Sequence, residues 1–303
     1  MAESPRSKAR RKRRAWLERL GLLLLAALLV FSATPTGQWA WQRLYTLSGF
    51  RGPAEEAPLE LHFIDVGKAD AILLQCQGKT ALLDAGTWAS GSRVVDYLHR
   101  MGVGRLDYII ASHPDSDHIG GLAQVLEEIP AESLVIYPWP EEMRQSEEFR
   151  QLEEAAFSKQ VPVLEVEAGD ELPFGETYLQ ILGPLKVYEE TNDCSLVVRL
   201  EYEAFSALFC GDIENAAELD LVKSGADLDA DLLKVAHHGS AGSSSERFLE
   251  AVSPVYAVIS VGPDNSQLPR EETLRRLEEV GAAIYRTDTD GDLVFSWEGE
   301  QVS

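Results

Sequence analysis

The sequence predicts an α/β protein, and three observations carry that prediction. Short strand-like apolar runs alternate with longer helix-like stretches from residue 59 to near the end of the chain. At 303 residues with 45% hydrophobic content, the chain can build one large core or two modest ones. Three separate apolar strands each run into a loop that carries His or Asp, so polar chemistry is concentrated at strand ends. No low-complexity tract and no internal sequence repeat is visible.

Taken in order, the elements begin with a segment of a different kind. Residues 1–15 are basic, with Arg6, Lys8, Arg10, Arg11, Lys12, Arg13 and Arg14, and residues 20–33 are almost wholly apolar. Fourteen apolar residues suit a signal-peptide core, but Trp39 and Trp41 suit a membrane interface, and no small-x-small cleavage site follows. Residues 16–41 are therefore expected to form a signal anchor, a single transmembrane helix. Its basic tail would lie in the cytoplasm and the rest of the chain outside; a cleaved, secreted form is the alternative. Arg13-Arg14-Ala15-Trp16-Leu17 also resembles a twin-arginine export signal. Residues 42–58 read as a linker and 59–303 as the folded domain.

Within that domain, strands are expected at 59–65, 71–75, 80–83, 106–111, 134–137, 161–165, 178–182, 195–202, 207–210, 232–235 and 255–260. Each is a short run rich in Leu, Ile, Val, Phe, Tyr or Ala. Helices are expected at 92–101, 122–129, 141–159, 213–224, 244–251 and 270–280. The acidic stretch 141–154 reads as the solvated face of its helix.

After the strand at 106–111 comes Ser-His-Pro-Asp-Ser-Asp-His-Ile-Gly-Gly-Leu, residues 112–122, which packs His113, Asp115, Asp117 and His118 into six positions. Imidazole and carboxylate are ligand types that divalent metals share, and a loop held by a rigid strand can aim them at one point. A polar turn capping the next helix is the plainer reading. It is disfavoured because later segments supply matching partners. The strand at 207–210 ends in Gly211-Asp212, and an Asp at such a tip can bridge two cations. The strand from 232 ends in His237-His238-Gly239-Ser240. The chain has six His, and four of them lie in these two loops; His62 and His99 fall in strand and helix patterns and read as structural.

These segments, in this order, resemble the metallo-β-lactamase superfamily, and within it the hydrolase domain of the bacterial DNA-uptake protein ComEC and its stand-alone relatives. Residues 63–74 resemble the opening strand and Asp-Val-Gly-Gln-Gly-Asp loop of that group, and 82–86 its next strand and turn. Residues 192–200 resemble its Asn-Asp-x-Ser-Leu-Val strand, and 231–240 its Leu-Lys-Val-x-His-His-Gly-Ser element. The resemblance runs from about residue 59 to about 297 and implies an αββα sandwich.

Four departures stand out. Asp115 holds the place of the second His in the usual His-x-His-x-Asp-His loop. The third His would fall near Thr191 or Asn192 and is missing. Lys68-Ala69 replaces Gln-Gly in the opening loop. Residues 265–269, Asn-Ser-Gln-Leu-Pro, stand where the relatives carry Asn-x-Tyr-Gly-His-Pro.

The resemblance implies one metal site from His113, Asp115 and Asp212, and a second from Asp117, His118 and His237 with Asp212 as the bridge. Oxygen-rich ligation favours harder cations, so Mn²⁺ and Mg²⁺ stand beside Zn²⁺ as expected metals, one or two ions per chain. The implied chemistry is metal-assisted hydrolysis, in which a bound cation lowers the pKa of its water and two cations clamp a phosphodiester. Asp117 and Asp212 are the expected catalytic carboxylates. Lys234 and Ser240 are candidate contacts to a phosphate oxygen, with a solvated strand-end lysine as the other reading of Lys234. His238 is expected to hold a neighbouring ligand by hydrogen bond, and Asn192 to stand beside the site or its substrate. Asp70 either faces the site or, with Asp65, serves the turn; Asp84 is a loop organiser.

Charge separates the function classes. Residues 1–51 hold ten of the 27 Lys and Arg and two of the 50 Asp and Glu, leaving 17 basic against 48 acidic side chains, net −31, beyond them. Nucleic-acid binders usually carry the opposite sign, which weighs against a nuclease without excluding one. The expected substrate is a phosphodiester, either single-stranded DNA or a cell-envelope polymer. The expected surroundings are a membrane and, through the resemblance, DNA-uptake components. A non-catalytic binding or assembly module on the same scaffold is the rival reading. Cys76, Cys194 and Cys210 form neither a disulfide framework nor a Cys-x-x-Cys zinc site and read as buried apolar residues.

Overall fold

A computed structural model describes residues 58–263 and 267–299. The strands are β1 (Leu59–Phe63), β2 (Ile72–Cys76), β3 (Lys79–Leu83), β4 (Leu106–Ile110), β5 (Ala131–Ile136), β6 (Val163–Glu165), β7 (Glu171–Phe174), β8 (Thr177–Gly183), β9 (Val197–Tyr202), β10 (Phe205–Phe209), β11 (Leu232–Lys234), β12 (Tyr256–Ile259), β13 (Ala283–Arg286) and β14 (Leu293–Trp297). The helices are α1 (Gly91–Arg100), α2 (Ser116–Ile119), α3 (Leu122–Glu128), α4 (Glu147–Lys159), α5 (Asn215–Ser224), α6 (Glu246–Val252), α7 (Glu271–Glu279) and α8 (Thr287–Asp290). One sheet runs β14-β1-β2-β3-β4-β5-β6 and the other β13-β12-β11-β10-β9-β8-β7.

The two sheets have the same grammar. From β14 to β6 the pairings are three antiparallel and then three parallel. From β7 to β13 they are again three antiparallel and then three parallel. The chain therefore repeats one sheet topology twice, although its sequence shows no repeat. In this correspondence β3 matches β10 and β4 matches β11. The loops after those four strands carry Asp84, Asp212, His113 to His118, and His237 to His238, so the polar segments all stand at equivalent strand ends.

Apolar burial joins the sheets. Phe63 of β1 and Phe209 of β10, both buried, stack at 6.3 Å between ring centroids. Helix α1 packs on α3 and α3 on α4, and likewise α5 on α6 and α6 on α7, with α5 against β8 and α7 against β13 of the second sheet. This is the expected sandwich of two sheets with helices.

Three strands were not expected, β7, β13 and β14, and all three are sheet edges. Edge strands have a single ladder neighbour, and these three are only partly buried. β7 even contains Pro173, which a strand tolerates only where the ladder ends. The helix expected over 141–159 divides: a 3₁₀ turn at Glu141–Arg144 is followed by α4, whose N-cap Ser146 accepts a hydrogen bond from Phe149 N. The expected transmembrane segment 16–41 lies outside the described residues, as do Asn265 and Ser266 of the departing 265–269 segment. Among the described residues no helix is long and apolar enough to cross a membrane.

Candidate metal centre

The site is built where β3, β4, β10 and β11 end. Gly211 has φ +52°, and a Cβ there would stand 2.7 Å from Ser195 Cβ, so a glycine is required for the chain to turn off β10. The turn carries Asp212 inward, where it is only 2% exposed. Ser195 Oγ accepts the Asp212 backbone N–H at 3.1 Å. After β11, His237 and His238 both take left-handed backbone conformations, φ +49° and +52°. Two successive non-glycine residues in that region store strain, a feature that clusters at functional sites.

Three buried imidazoles converge on Asp212 with the same tautomer. His238 Nδ1 lies 2.8 Å from the Ser260 carbonyl, which can only accept, so Nδ1 carries the proton. His118 Nδ1 donates to Asp84 Oδ2 at 2.8 Å. His113 Nδ1 is 3.0 Å from Ser112 Oγ, whose own proton goes to Asp84 Oδ2 at 2.6 Å, so His113 also donates from Nδ1. In each ring Nε2 is left facing the centre. His118 Nε2 is 3.3 Å from Asp212 Oδ1, and His238 Nε2 is 3.6 Å from Asp212 Oδ2 and 3.7 Å from Asp117 Oδ2.

Six buried side-chain polar atoms have no hydrogen-bond partner among the described residues, and five belong to this cluster: the Nε2 atoms of His113, His118 and His238, Asp212 Oδ1 and Asp70 Oδ1. Buried polar groups are almost always paired. Four unpaired donor atoms aimed at one point fit a divalent cation. His113, His118 and Asp212 can offer ligand atoms within 4.8 Å of one another, and so can Asp117, His118 and His238. Asp70, Asp84 and His118 form a third such group, but it is already neutralised: Asp84 is bonded to Ser112 and His118, and Asp70 to Lys234.

Electrostatics follow the geometry. Burial opposes a charge on His118, yet Asp212 and Asp84 outweigh it and raise its pKa well above the ordinary value. Burial, then the neighbouring His118, push His113 well below it, so His113 stays neutral. Burial disfavours the Asp117 and Asp212 carboxylates, but His238, His118 and, for Asp117, Lys68 hold both pKa values low.

The structure brings most of the expected residues together and reassigns several. His238, expected to support a neighbour, presents its own Nε2 to the centre. His237 lies at the rim: its ring is 22% exposed, Nδ1 meets Glu214 Oε1 at 2.9 Å, and Nε2 is 3.8 Å from Asp212 Oδ2. Asp115 is also at the rim, 3.8 Å from His113 Nε2 and 44% exposed.

Lys234 requires a correction. It is neither a solvated strand end nor a contact for substrate: it is fully buried, and its ammonium sits 2.5 Å from Asp70 Oδ2 and donates to the Val235 carbonyl at 3.0 Å. Asp70 thus stands behind the imidazoles as the counter-ion of a buried lysine. Asn192 lies 3.4 Å from His237 Nδ1, and Ser240 Oγ accepts from the Gly242 backbone. Asp65 is a turn residue, accepting from Gly67 N.

Sequence reasoning missed three residues at the site. Glu214 orients His237. Asp193 accepts from Glu214 N and Ala217 N at the start of α5. Lys68, noted only as a departure, reaches Asp117 Oδ2 at 2.6 Å. Closeness to Asp212 was a usable signal for Glu214, and the place of Asp193 in the Asn-Asp-x-Ser-Leu-Val motif was one for Asp193. The cysteines are free and buried, and burial pushes the Cys76 thiol up to about 11.

The chain is similar to known proteins over most of its length. Residues 64–262 match the metallo-beta-lactamase superfamily. The chain is 33% identical to the competence protein ComA of Neisseria gonorrhoeae over 91% of its own length and 38% of that protein. It is 29% identical to the ComE operon protein 3 of Bacillus subtilis (strain 168), over 78% of its own length and 33% of that protein. The chain thus spans little more than a third of these relatives. Among solved structures, a mutant of the β-hydroxylase CmlA superposes with a TM-score of 0.55 at 14% identity, covering 88% of this chain and 61% of that one. The metallo hydrolase Igni18 of Ignicoccus hospitalis superposes at 0.51 and 10%, covering 78% and 99%. At these identities the likeness is one of fold.

Proposed function

Since the chain belongs to the metallo-β-lactamase superfamily, we propose that it is a metal-dependent hydrolase acting on phosphodiesters. The observation that carries this is the set of three buried imidazoles, each with Nδ1 committed and Nε2 unpaired, around the carboxylates of Asp212 and Asp117. A divalent cation bound there supplies Lewis-acid charge for a phosphoryl oxygen and makes a nucleophile available near neutral pH.

The protein's own part is orientation. His113, His118, His238, Asp117 and Asp212 would hold the metal. Asp84 fixes the His118 tautomer, Ser112 that of His113 and the Ser260 carbonyl that of His238. The second oxygen of Asp117 is an acceptor for the proton of an incoming water. Carboxylates beside the imidazoles support Mn²⁺ or Mg²⁺ as well as Zn²⁺. Nucleic acid and a cell-envelope phosphodiester are both of the right chemistry; the net −31 beyond residue 51 favours the smaller or less charged substrate. The basic tail and apolar stretch before residue 42 support a membrane anchor with the domain outside the cytoplasm, close to DNA-uptake components if the likeness to competence proteins extends to their setting.

The test uses the purified full-length chain. Bound metal is counted, and bis-p-nitrophenyl phosphate and labelled single-stranded DNA are assayed with added Mn²⁺, Mg²⁺ or Zn²⁺. The expected result is metal-dependent cleavage that falls at least about a hundredfold in Asp212→Ala and His118→Ala. Absence of bound metal and of turnover with every cation sinks the enzyme reading and leaves a binding or assembly module.

A further inference from the structure

We infer that Lys68 is the anion anchor of this centre: its ammonium, standing on Asp117 Oδ2 at the mouth of the site, binds a non-bridging oxygen of the substrate's phosphate group. This rests on the phosphodiester reading and adds a specificity-determining residue to it.

Two lysines touch the carboxylates of the site, and their surroundings separate their roles. Lys234 is sealed, with no exposed surface, and its ammonium meets Asp70 and a backbone carbonyl. Lys68 has a side chain 36% exposed and reaches the cluster from the solvent side, 2.6 Å from Asp117 Oδ2. An ammonium has three donors. Asp117 accepts one, and no other acceptor for Lys68 is observed among the described residues.

The backbone that presents Lys68 is held from every direction. Gly67 N donates to Asp65 Oδ1, Ala69 N to the Gly67 carbonyl and Asp70 N to the Asp117 carbonyl. From the opposite side Gly262 leans on the turn so closely that a Cβ would stand 2.8 Å from Gly67 Cα and Lys68 N. A lysine on a clamped turn is preorganised, which lowers the entropy lost on binding an anion.

Charge gives the reason for an anchor here. With 48 acidic and 17 basic side chains beyond residue 51, the chain repels an anionic substrate at long range. Asp115, Asp117 and Asp212 would repel it again at the centre wherever metal charge does not cancel them. A fixed ammonium within bonding distance of Asp117 supplies local attraction without enlarging the metal site. The same three carboxylates keep Lys68 charged against the partial burial that opposes it.

The experiment uses the metal-loaded full-length chain and the variants Lys68→Gln, Lys68→Ala and Lys68→Arg. Inorganic phosphate binding is measured by titration calorimetry, metal content by mass spectrometry, and KM and kcat with bis-p-nitrophenyl phosphate. Expected for Gln and Ala are phosphate affinity reduced about tenfold and KM raised about tenfold, with kcat within about threefold and metal content unchanged. Arg should restore most of both losses, because it keeps the charge. Phosphate affinity within about twofold of wild type in Gln and Ala overturns the inference, as does phosphate failing to bind the wild-type protein. A loss of metal from the variants overturns it too, since Lys68 would then serve Asp117 rather than substrate. Phosphate binding is read without turnover. A wild-type protein that binds phosphate through Lys68 but cleaves no diester defeats the phosphodiesterase reading alone.

Discussion

Burial, and what each ring faces, decides which of two adjacent histidines belongs to the metal centre. Neighbours in sequence, His237 and His238 share a left-handed backbone and a committed Nδ1, yet they differ in what surrounds them. His238 is wholly buried against a backbone carbonyl, whereas His237 is tied to a partly exposed carboxylate at the rim. The sequence reading placed His237 among the ligands and His238 behind them. The burial of the two rings favours the reverse weighting. His238→Ala is expected to reduce bound metal per chain, measured by elemental mass spectrometry after gel filtration, while His237→Ala retains at least about half of it. Equal loss in both would mean that the rim histidine also holds metal.

Asp212 depends on the path of the chain as much as on its own side chain. Gly211 sits at φ +52° with Ser195 Cβ against it, and the Asp212 N–H is held by Ser195 Oγ. Gly211→Ala meets both a conformational penalty and a backbone-adjacent clash. The expected cost is about 1–3 kcal/mol in urea denaturation, together with weakened metal binding, because the turn must shift to admit the methyl group. A variant of unchanged stability and metal affinity would show that the β10 turn is not constrained. β4 and β10 were legible in the sequence because each is an apolar run with one polar residue, Asp107 and Ser206 respectively. The edges β7, β13 and β14 were not, although the edge β6 fell within the expected strand at 161–165, so edge position alone does not decide legibility.

Proton and metal compete at the scale of the whole molecule. Without metal, the raised pKa of His118 lends stability that is fully present below the unfolded-state value of about 6.5 and is lost as pH rises through the folded value. A metal needs the same Nε2 lone pair, so below that folded value it must displace a proton. Metal affinity should therefore rise with pH, by up to about tenfold per unit for one displaced proton. The gain in Tm between chelated and metal-loaded protein should be larger at about pH 8 than at about pH 6. Scanning calorimetry with and without chelator measures this, and a gain independent of pH would show that His118 is already neutral in the metal-free protein.

By itself the sequence determined the α/β class, the three strand-end loops and the residue types that fill them. Strand ends and His-Asp spacing are local properties, and His113, Asp117 and His118 stood out as candidates from them, while the place of Asp212 among the ligands came from the resemblance. Only the tertiary structure decided how those loops meet. The twofold repetition of one sheet topology places the ends of β3, β4, β10 and β11 at equivalent positions, a relation spread over more than a hundred residues that leaves no local pattern. The same long-range packing buried Lys234 against Asp70 and left Lys68 at the mouth. Lys68 sits in a loop between Gly67 and Ala69 and Lys234 in an apolar strand between Leu233 and Val235, but neither context names the carboxylate that each meets. Desolvation and partner distance are properties of the folded chain, and they assign one lysine to structure and the other to the solvent side of the metal centre.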